Sequence, residues 1–523
     1  MATQAVPAGT RDATAATTEK RRPWWIWVAP FAALFVTLVA RNAFLFSTRL
    51  YEQGDTGANS ILIQQALRFE LLVGHYSRER FNNPGPAYMY AQALGQWVSR
   101  DVLSVVPTDW NGQFLGVYAL DSAFAALIVG VVYGWTRSVR GAAAAFCVLL
   151  GCAAAHPEVL TSNWMPDLVV LTFCVFLLSA ASVAARQPRD LWVMALSGWM
   201  LIHGYVPFLF FGPLLAVAAV VIALWRDRRH PLRAIRVFFR DRRRAWIPAA
   251  GISALFLLPI VINLLVHWPG DFGKYIDYGK TAHNTGRTAA QVGDYALWYW
   301  WPKSGAWLAP VLFYVAALTV TIALARGPLR RWFGAIVGLS VVASIAFVYY
   351  VAVGVDLLNA PYIGYFDWAV PFTLLLVVVV GVIEALPGRT ATALALTAAI
   401  GGAVAFGAFV SLRSDTHDDD PQLPAAVAAL AARGHGKPIV ITAVGSSWVE
   451  VPGFLVQAER TGVRACVAQD FTEYLVTSQF ICTPDEKARG VAYLFIGYPA
   501  PPGTRVVERF GTPQFGYASV LAW

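Results

Sequence analysis

Two short stretches early in the chain carry residue types suited to group transfer. Arg49-Leu50-Tyr51-Glu52-Gln53-Gly54-Asp55-Thr56-Gly57 sets carboxylates among glycines directly after an apolar run, and Phe81-Asn82-Asn83-Pro84-Gly85-Pro86 follows further on. A carboxylate at a lipid–water boundary is partly desolvated, which favours its neutral form and makes it a better base. A polyprenyl-phosphate sugar would lie there, its tail in the bilayer and its sugar just above. Asp55 would take the proton from an acceptor hydroxyl, and nearby cations would hold the departing phosphate. His75, Arg78 and Arg80 lie between the two stretches. Each group also has a plain structural reading. Asp55 can cap a helix starting near 58, Pro84-Gly85-Pro86 can be a rigid turn, and the three cations can face solvent or lipid headgroups.

Other candidates are scattered. Asp167 ends Asn163-Trp164-Met165-Pro166-Asp167 at the mouth of an apolar run, as a second possible carboxylate, with Trp164 as an interfacial anchor. Asp121 falls inside an apolar run, where a charge is costly and either functional or held neutral by a neighbouring helix. His203 and Tyr205 border a polar break and either line a cavity or pack against one another's neighbours. Residues 267–304 hold Lys274, Tyr275, Tyr278, Lys280, His283 and Arg287 among Trp298, Trp300 and Trp301. The cations suit a phosphate and the aromatic faces suit a sugar, while interfacial anchoring explains the tryptophans equally well. Gly445-Ser446-Ser447 follows an expected strand and reads as a helix cap in preference to a phosphate cradle. No metal-ligand spacing occurs, so neither metal nor cofactor is expected.

The elements that position these residues are membrane helices. Of the residues, 57% are hydrophobic and 14% charged, and mean hydropathy is +0.53; soluble domains carry about 25% charged residues. Apolar runs long enough for a ~30 Å hydrocarbon core occur at 24–45, 113–135, 142–160, 166–184, 246–266, 305–325, 333–354, 366–386 and 393–412. The run 191–225 is broken by His203-Gly204-Tyr205-Val206-Pro207 into two, giving about eleven spans, all helical because lipid offers backbone groups no other partner. Arginine-bearing loops after 135, 184, 325 and 386, and the basic loop 226–245, place the N-terminus in the cytoplasm and the protein in the plasma (inner) membrane. The net charge of +9 then marks topology and anionic lipid, with no nucleic acid as partner. Segments 46–111, 267–304, 355–365 and 413–523 fall outside. Within the first, Pro86–Val98 makes only ~20 Å of helix and is expected to lie at the outer surface, as is a helix over 58–73.

The expected domains are a disordered cytoplasmic tail over 1–23, a membrane domain over 24–412 with the external loop 46–111, and an extracytoplasmic α/β domain over 413–523. Asp415–Pro421 reads as a solvated acidic linker. A helix over 423–433, a strand over 438–444, a helix over 448–461 and strands over 463–468 and 491–496 predict a partly parallel sheet. Cys147, Cys152 and Cys174 sit in spans; Cys466 and Cys482 share the external domain and are expected to form a disulfide.

A span, an Asp in the first external loop, a surface helix and then a Pro-rich motif opening a second surface helix: this order resembles GT-C membrane glycosyltransferases. The similarity is to the branch of protein O-mannosyltransferases and lipid A aminoarabinose transferases. It is carried by residues 24–112, is topological to about 412, and leaves the C-terminal domain unexplained. The resemblance implies a lipid-phosphate-linked sugar donor, inverting transfer outside the membrane to a glycan, lipid or protein acceptor, and Asp55 as general base. The family's "DE" pair is Asp55-Thr56 here, and the basic residue before the first proline is Asn83, so another group, among His75, Arg78 and Arg80, would meet the phosphate. A transporter or flippase of a lipid-linked or small polar substrate, and a non-catalytic assembly protein, are the competing classes. Paired broken helices with midplane charges, expected of a transporter, are absent from the sequence.

Overall fold

The computed structural model describes residues 22–225, 243–281, 286–300, 307–497, 500–512 and 516–522. The tail before Arg22, most of the basic loop 226–245, His283 and Trp301 lie outside the described residues.

The membrane part contains α1 (Trp25–Arg41), α2 (Gly54–Leu67), the hairpin β1 (Tyr76–Ser77) and β2 (Phe81–Asn82), α3 (Ala87–Gln96), α4 (Asp109–Thr136), α5 (Val139–Ala155), α6 (Glu158–Thr161), α7 (Met165–Ala184), α8 (Leu191–Gly204), α9 (Phe208–Trp225), α10 (Arg243–His267), α11 (Gly270–Thr281), α12 (Ala289–Leu297), α13 (Leu308–Thr319), α14 (Gly327–Val353), α15 (Ala369–Ala385) and α16 (Gly388–Phe409). Among the described residues seven helices are long and apolar enough to cross a membrane, fewer than the eleven expected; the runs at α1, α5, α8 and α13 form shorter helices. The chain is a multi-pass membrane protein. α7 is buried along its whole length, and Pro166 in its first turn fits a position where a missing N–H costs nothing. The break between α8 and α9 falls where expected: Tyr205 is extended and Pro207 precedes the restart at Phe208.

The C-terminal part contains α17 (Leu423–Gly434), β3 (Ile439–Val444), α18 (Glu450–Arg460), β4 (Ala465–Val467), α19 (Glu473–Val476), α20 (Pro484–Arg489), β5 (Val491–Gly497), β6 (Val506–Thr512) and β7 (Gly516–Ala522). The sheet order is β4-β3-β5-β7-β6, with β3 parallel to β4 and β5 and the rest antiparallel. The partly parallel α/β arrangement is as expected; β6 and β7 are additions. Cys466 and Cys482 form a disulfide with a Cα–Cα distance of 5.0 Å. Gly445–Val449 form a short 3-10 helix that leads into α18, which has no side-chain cap; Ser447 is buried, accepting from Val444 N–H at 3.0 Å and donating to the Phe495 carbonyl at 2.6 Å.

Two expectations fail. The first-loop helix begins at Gly54, not 58, and is not a surface helix. It is buried between α3 and α18, and a Cβ on Gly57 would stand 2.7 Å from the Gly453 nitrogen, so the two helices meet backbone to backbone. The acidic linker is not solvated either. Asp418 and Asp420 are 3% and 1% exposed. The Gln53 N–H donates to the Asp418 carbonyl at 3.0 Å, Tyr51 N–H to Asp419 Oδ1 at 2.7 Å, and Thr56 Oγ1 to Asp418 Oδ2 at 3.0 Å. Composition suggested solvent because a run of acids is ordinarily hydrated; here the donors of the first loop replace water.

Arg460 at the end of α18 completes the docking. It forms a two-pronged ion pair with Glu52, at 2.7 and 3.1 Å, and its Nε meets Asp109 at 2.8 Å. Glu52 is 1% exposed. The α/β unit, the first loop and the start of α4 therefore share one end of the bundle.

Candidate active site

Asp55 occupies the first turn of α2, where the helix N-terminus favours a negative charge. The Tyr76 hydroxyl of the hairpin donates to its Oδ1, and the Trp164 indole N–H donates to Oδ2 at 3.0 Å. Burial nevertheless raises the Asp55 carboxyl above its ordinary value; the Tyr76 and Trp164 hydrogen bonds oppose this, nearby Asp418 adds to it, and His417 opposes it. The result is a half-buried carboxylate oriented by two donors, with a higher basicity than a solvated one.

Trp164, expected as an interfacial anchor, joins three parts of the site. It bonds Asp55, packs its ring on Tyr362 with centroids 4.9 Å apart, and immediately precedes α7, whose first turn carries Asp167. Asp167 is buried and its Oδ1 has no hydrogen-bond partner. Asp121, one helix away in α4, is fully buried with both oxygens unpartnered.

Tyr362 leads on to the cations. The Arg78 guanidinium lies 6.0 Å from the Tyr362 ring centroid, donates to its hydroxyl at 3.0 Å and pairs with Asp356. Arg287 donates to the Asp356 carbonyl at 3.1 Å and to the carbonyls of Val351 and Val355, so it caps the end of α14. Arg78 and Arg287 thus converge on one residue, Asp356, that the sequence reading did not single out. Arg80 sits at the exposed hairpin turn with φ 60°.

The remaining candidates are tied into structure. Asn83 Nδ2 donates to the His75 carbonyl at 3.0 Å, and its Oδ1 accepts from the Val206 N–H at 2.8 Å, joining the hairpin to the α8–α9 break. Burial pushes the His75 imidazole down to about 3, so it is neutral. The Asn82 side chain donates to the Gly74 carbonyl at 3.2 Å, and its own carbonyl accepts from Tyr275. His203 Nε2 meets the Phe256 carbonyl at 2.9 Å, and a Cβ on Gly85 would fall 2.3 Å from His203 Nδ1; Tyr205 donates to the Ile363 carbonyl at 3.1 Å. Lys274 and Lys280 are exposed and pair along α11 with Asp271 at 2.9 Å and Asp277 at 3.5 Å.

The structure therefore links Asp55 to Arg78 through Trp164 and Tyr362, leaves Asp167 buried in the first turn of α7 three residues beyond Trp164, and sets the lysines on a separate exposed helix. Tyr76, Tyr362, Asp356, His417 and Asp418 were missed. The only advance signal for the linker pair was a His inside an acidic run, which is ordinarily a solvated feature. Among the described residues no group of three or more His, Cys, Asp or Glu is placed to hold a metal ion.

No protein-family model matches the chain, and no curated protein matches it. Its fold is similar to that of ArnT from Cupriavidus metallidurans, whose crystal structure in the apo state aligns with a TM-score of 0.56 over 95% of this chain and 97% of that one. Identity is 14%, so the likeness concerns the fold, which is GT-C. It spans the α/β unit as well as the membrane helices.

Proposed function

We propose that this protein is an integral membrane glycosyltransferase that moves a sugar from a polyprenyl-phosphate donor to an envelope glycan, lipid or protein acceptor. Transfer would occur on the extracytoplasmic side, where the orientation read from the arginine loops places the first loop and the α/β unit. The observation that carries this reading is Asp55: a desolvated carboxylate at the end of a membrane bundle, aimed by Tyr76 and Trp164.

In the proposed reaction Asp55 accepts the acceptor hydroxyl proton as that oxygen forms a bond to the sugar anomeric carbon. The bond from that carbon to the phosphate oxygen breaks, and polyprenyl phosphate leaves. Arg78, stacked over Tyr362, is the proposed partner of the phosphate, exchanging its contact with Asp356 for the donor. Asp167 would stay beneath the site as a second carboxylate.

The test is transfer from a synthetic polyprenyl-phosphate sugar by purified wild type and Asp55→Asn at matched amounts. Asp55→Asn keeps size and shape and removes the base, so turnover should fall by ~10²–10⁴ while the protein inserts normally. Donor binding should persist in Asp55→Asn and weaken in Arg78→Ala. Near-wild-type transfer by Asp55→Asn would remove Asp55 from the mechanism.

A further inference from the structure

We propose that His417, on the linker between α16 and the α/β unit, is a positioning residue for Asp55: bridging Asp415 and Asp418, it cancels the charge of the Asp418 carboxylate that would otherwise oppose ionisation of the base. This rests on the proposed role of Asp55.

The geometry is compact. His417 Nδ1 lies 2.5 Å from Asp415 Oδ1 and Nε2 lies 3.1 Å from Asp418 Oδ1. A carboxylate oxygen beside each nitrogen favours the doubly protonated ring, which is a cation. The Asp415 and Asp418 carboxylates hold its pKa up at about 10. The other oxygen of Asp418 accepts from Thr56, the residue after Asp55, and the Gln53 N–H fixes the Asp418 carbonyl. Asp415 is anchored in turn, its N–H donating to the Thr161 carbonyl at 3.1 Å, on the segment that leads to Trp164 and Asp167.

The groups facing Asp55 come from four elements: Tyr76 from the hairpin, Trp164 from the approach to α7, Tyr362 from residues 361–368, and Asp418 with His417 from the linker. His417 also lies within electrostatic reach of Asp167, around which Glu158 and Asp415 add negative charge. Tyr474 faces Tyr76 from the α/β unit, with ring centroids 6.1 Å apart. Tyr76 and Tyr362 are neutral at ordinary pH. Apart from Arg78, which is paired with Asp356, His417 is therefore the cation set against this group of carboxylates. Like charges a few ångströms apart disfavour each other's ionisation.

The experiment reads protonation of Asp55 without any sugar transfer. Full-length protein in lipid nanodiscs is treated with dicyclohexylcarbodiimide, which attacks protonated carboxyls, across a pH series, and the adduct on Asp55 is quantified by peptide mass mapping. In His417→Gln the labelling midpoint should move to higher pH, and His417→Lys should return it toward wild type. Asp418→Asn, which removes the opposing charge itself, should move the midpoint to lower pH. Coincident curves for wild type and His417→Gln would overturn the inference, as would a His417→Lys curve that stays with His417→Gln. Should His417→Gln fail to fold, Asp418→Asn decides: an unchanged or raised midpoint overturns the inference. Absence of sugar transfer by the wild type, by contrast, would sink the functional reading and leave the titration result standing.

Discussion

The Asp55 carboxylate is held by one donor on each oxygen, and the two donors differ in what their loss would do. Tyr76 belongs to a hairpin that also packs against α11, through Phe81 on Tyr275 and Tyr278, so its removal disturbs more than the base. Trp164 offers a cleaner change. Trp164→Phe keeps an aromatic ring on Tyr362 and deletes the N–H that stabilises the ionised carboxylate. A hydrogen bond to the charged form lowers a carboxyl pKa, so deleting it raises Asp55 further. A base works ionised, and the acid limb of the pH–rate profile should therefore move to higher pH while the high-pH plateau is largely kept. Profiles of transfer rate for wild type and Trp164→Phe decide this; superimposable acid limbs would show that the indole does not tune the base. Of this candidate site, the sequence singled out Asp55, an acid among glycines just after an apolar run, and Asp167, an acid at the mouth of another, because a carboxylate at such a boundary is costly enough to be noticed. Tyr76, Trp164 and Tyr362 were not legible as site residues: aromatic side chains at a membrane boundary are expected there for solvation alone, and only their hydrogen-bond geometry distinguishes them.

At the scale of elements, the informative contact is between α2 and α18. Gly57 and Gly453 let the two backbones touch, and Arg460 supplies the counter-ion for Glu52. Breaking a buried pair by removing one partner leaves an uncompensated charge, typically at a cost of about 3–5 kcal/mol. Arg460→Ala should therefore loosen the α/β unit from the first loop and expose residues 412–423 to protease, while the disulfide between Cys466 and Cys482 remains formed. Limited proteolysis of wild type and Arg460→Ala in detergent measures this, and equal cleavage rates would mean that Glu52 finds another partner. The helices themselves were readable from apolar run length, and β3, β4 and β5 from short buried runs between turn residues. What the sequence reading lacked was docking. A helix such as α2, with Gln64 and Gln65 among leucines, looks amphipathic at a bilayer; its polar groups instead meet Asp109 and Thr477, at 3.2 and 3.3 Å. Pairings between residues hundreds of positions apart leave no local trace.

For the molecule as a whole, the Glu52–Arg460 contact constrains topology. The helices between the first loop and the linker that match the expected crossings are the seven long ones, α4, α7, α9, α10, α14, α15 and α16, together with the shorter α5, α8 and α13. That is an even number, so single crossings by each return the chain to the side on which it began, as the contact requires. A crossing by α3 would make the number odd and separate the partners by the bilayer. Parity fixes sidedness relative to the first loop, and the arginine loops supply its direction. Thr108→Cys, just before α4, should accordingly react with an impermeant thiol reagent in intact cells; protection until lysis would invert the orientation and move the proposed site to the cytoplasm.

The same contact has a consequence for biogenesis. Glu52 and Arg460 are 408 residues apart in the chain. At ~5–20 residues per second of synthesis, roughly 20–80 s passes between the appearance of the acid and that of its partner. Until then Glu52 cannot adopt its buried position, and Asp55 three residues on has no linker beside it. The earliest loop to leave the ribosome is thus the last to mature. A chain released before α18 would hold every membrane helix and still lack the counter-ion that sets the first loop, so on the proposed function it would be inert until its final domain had folded back onto its first.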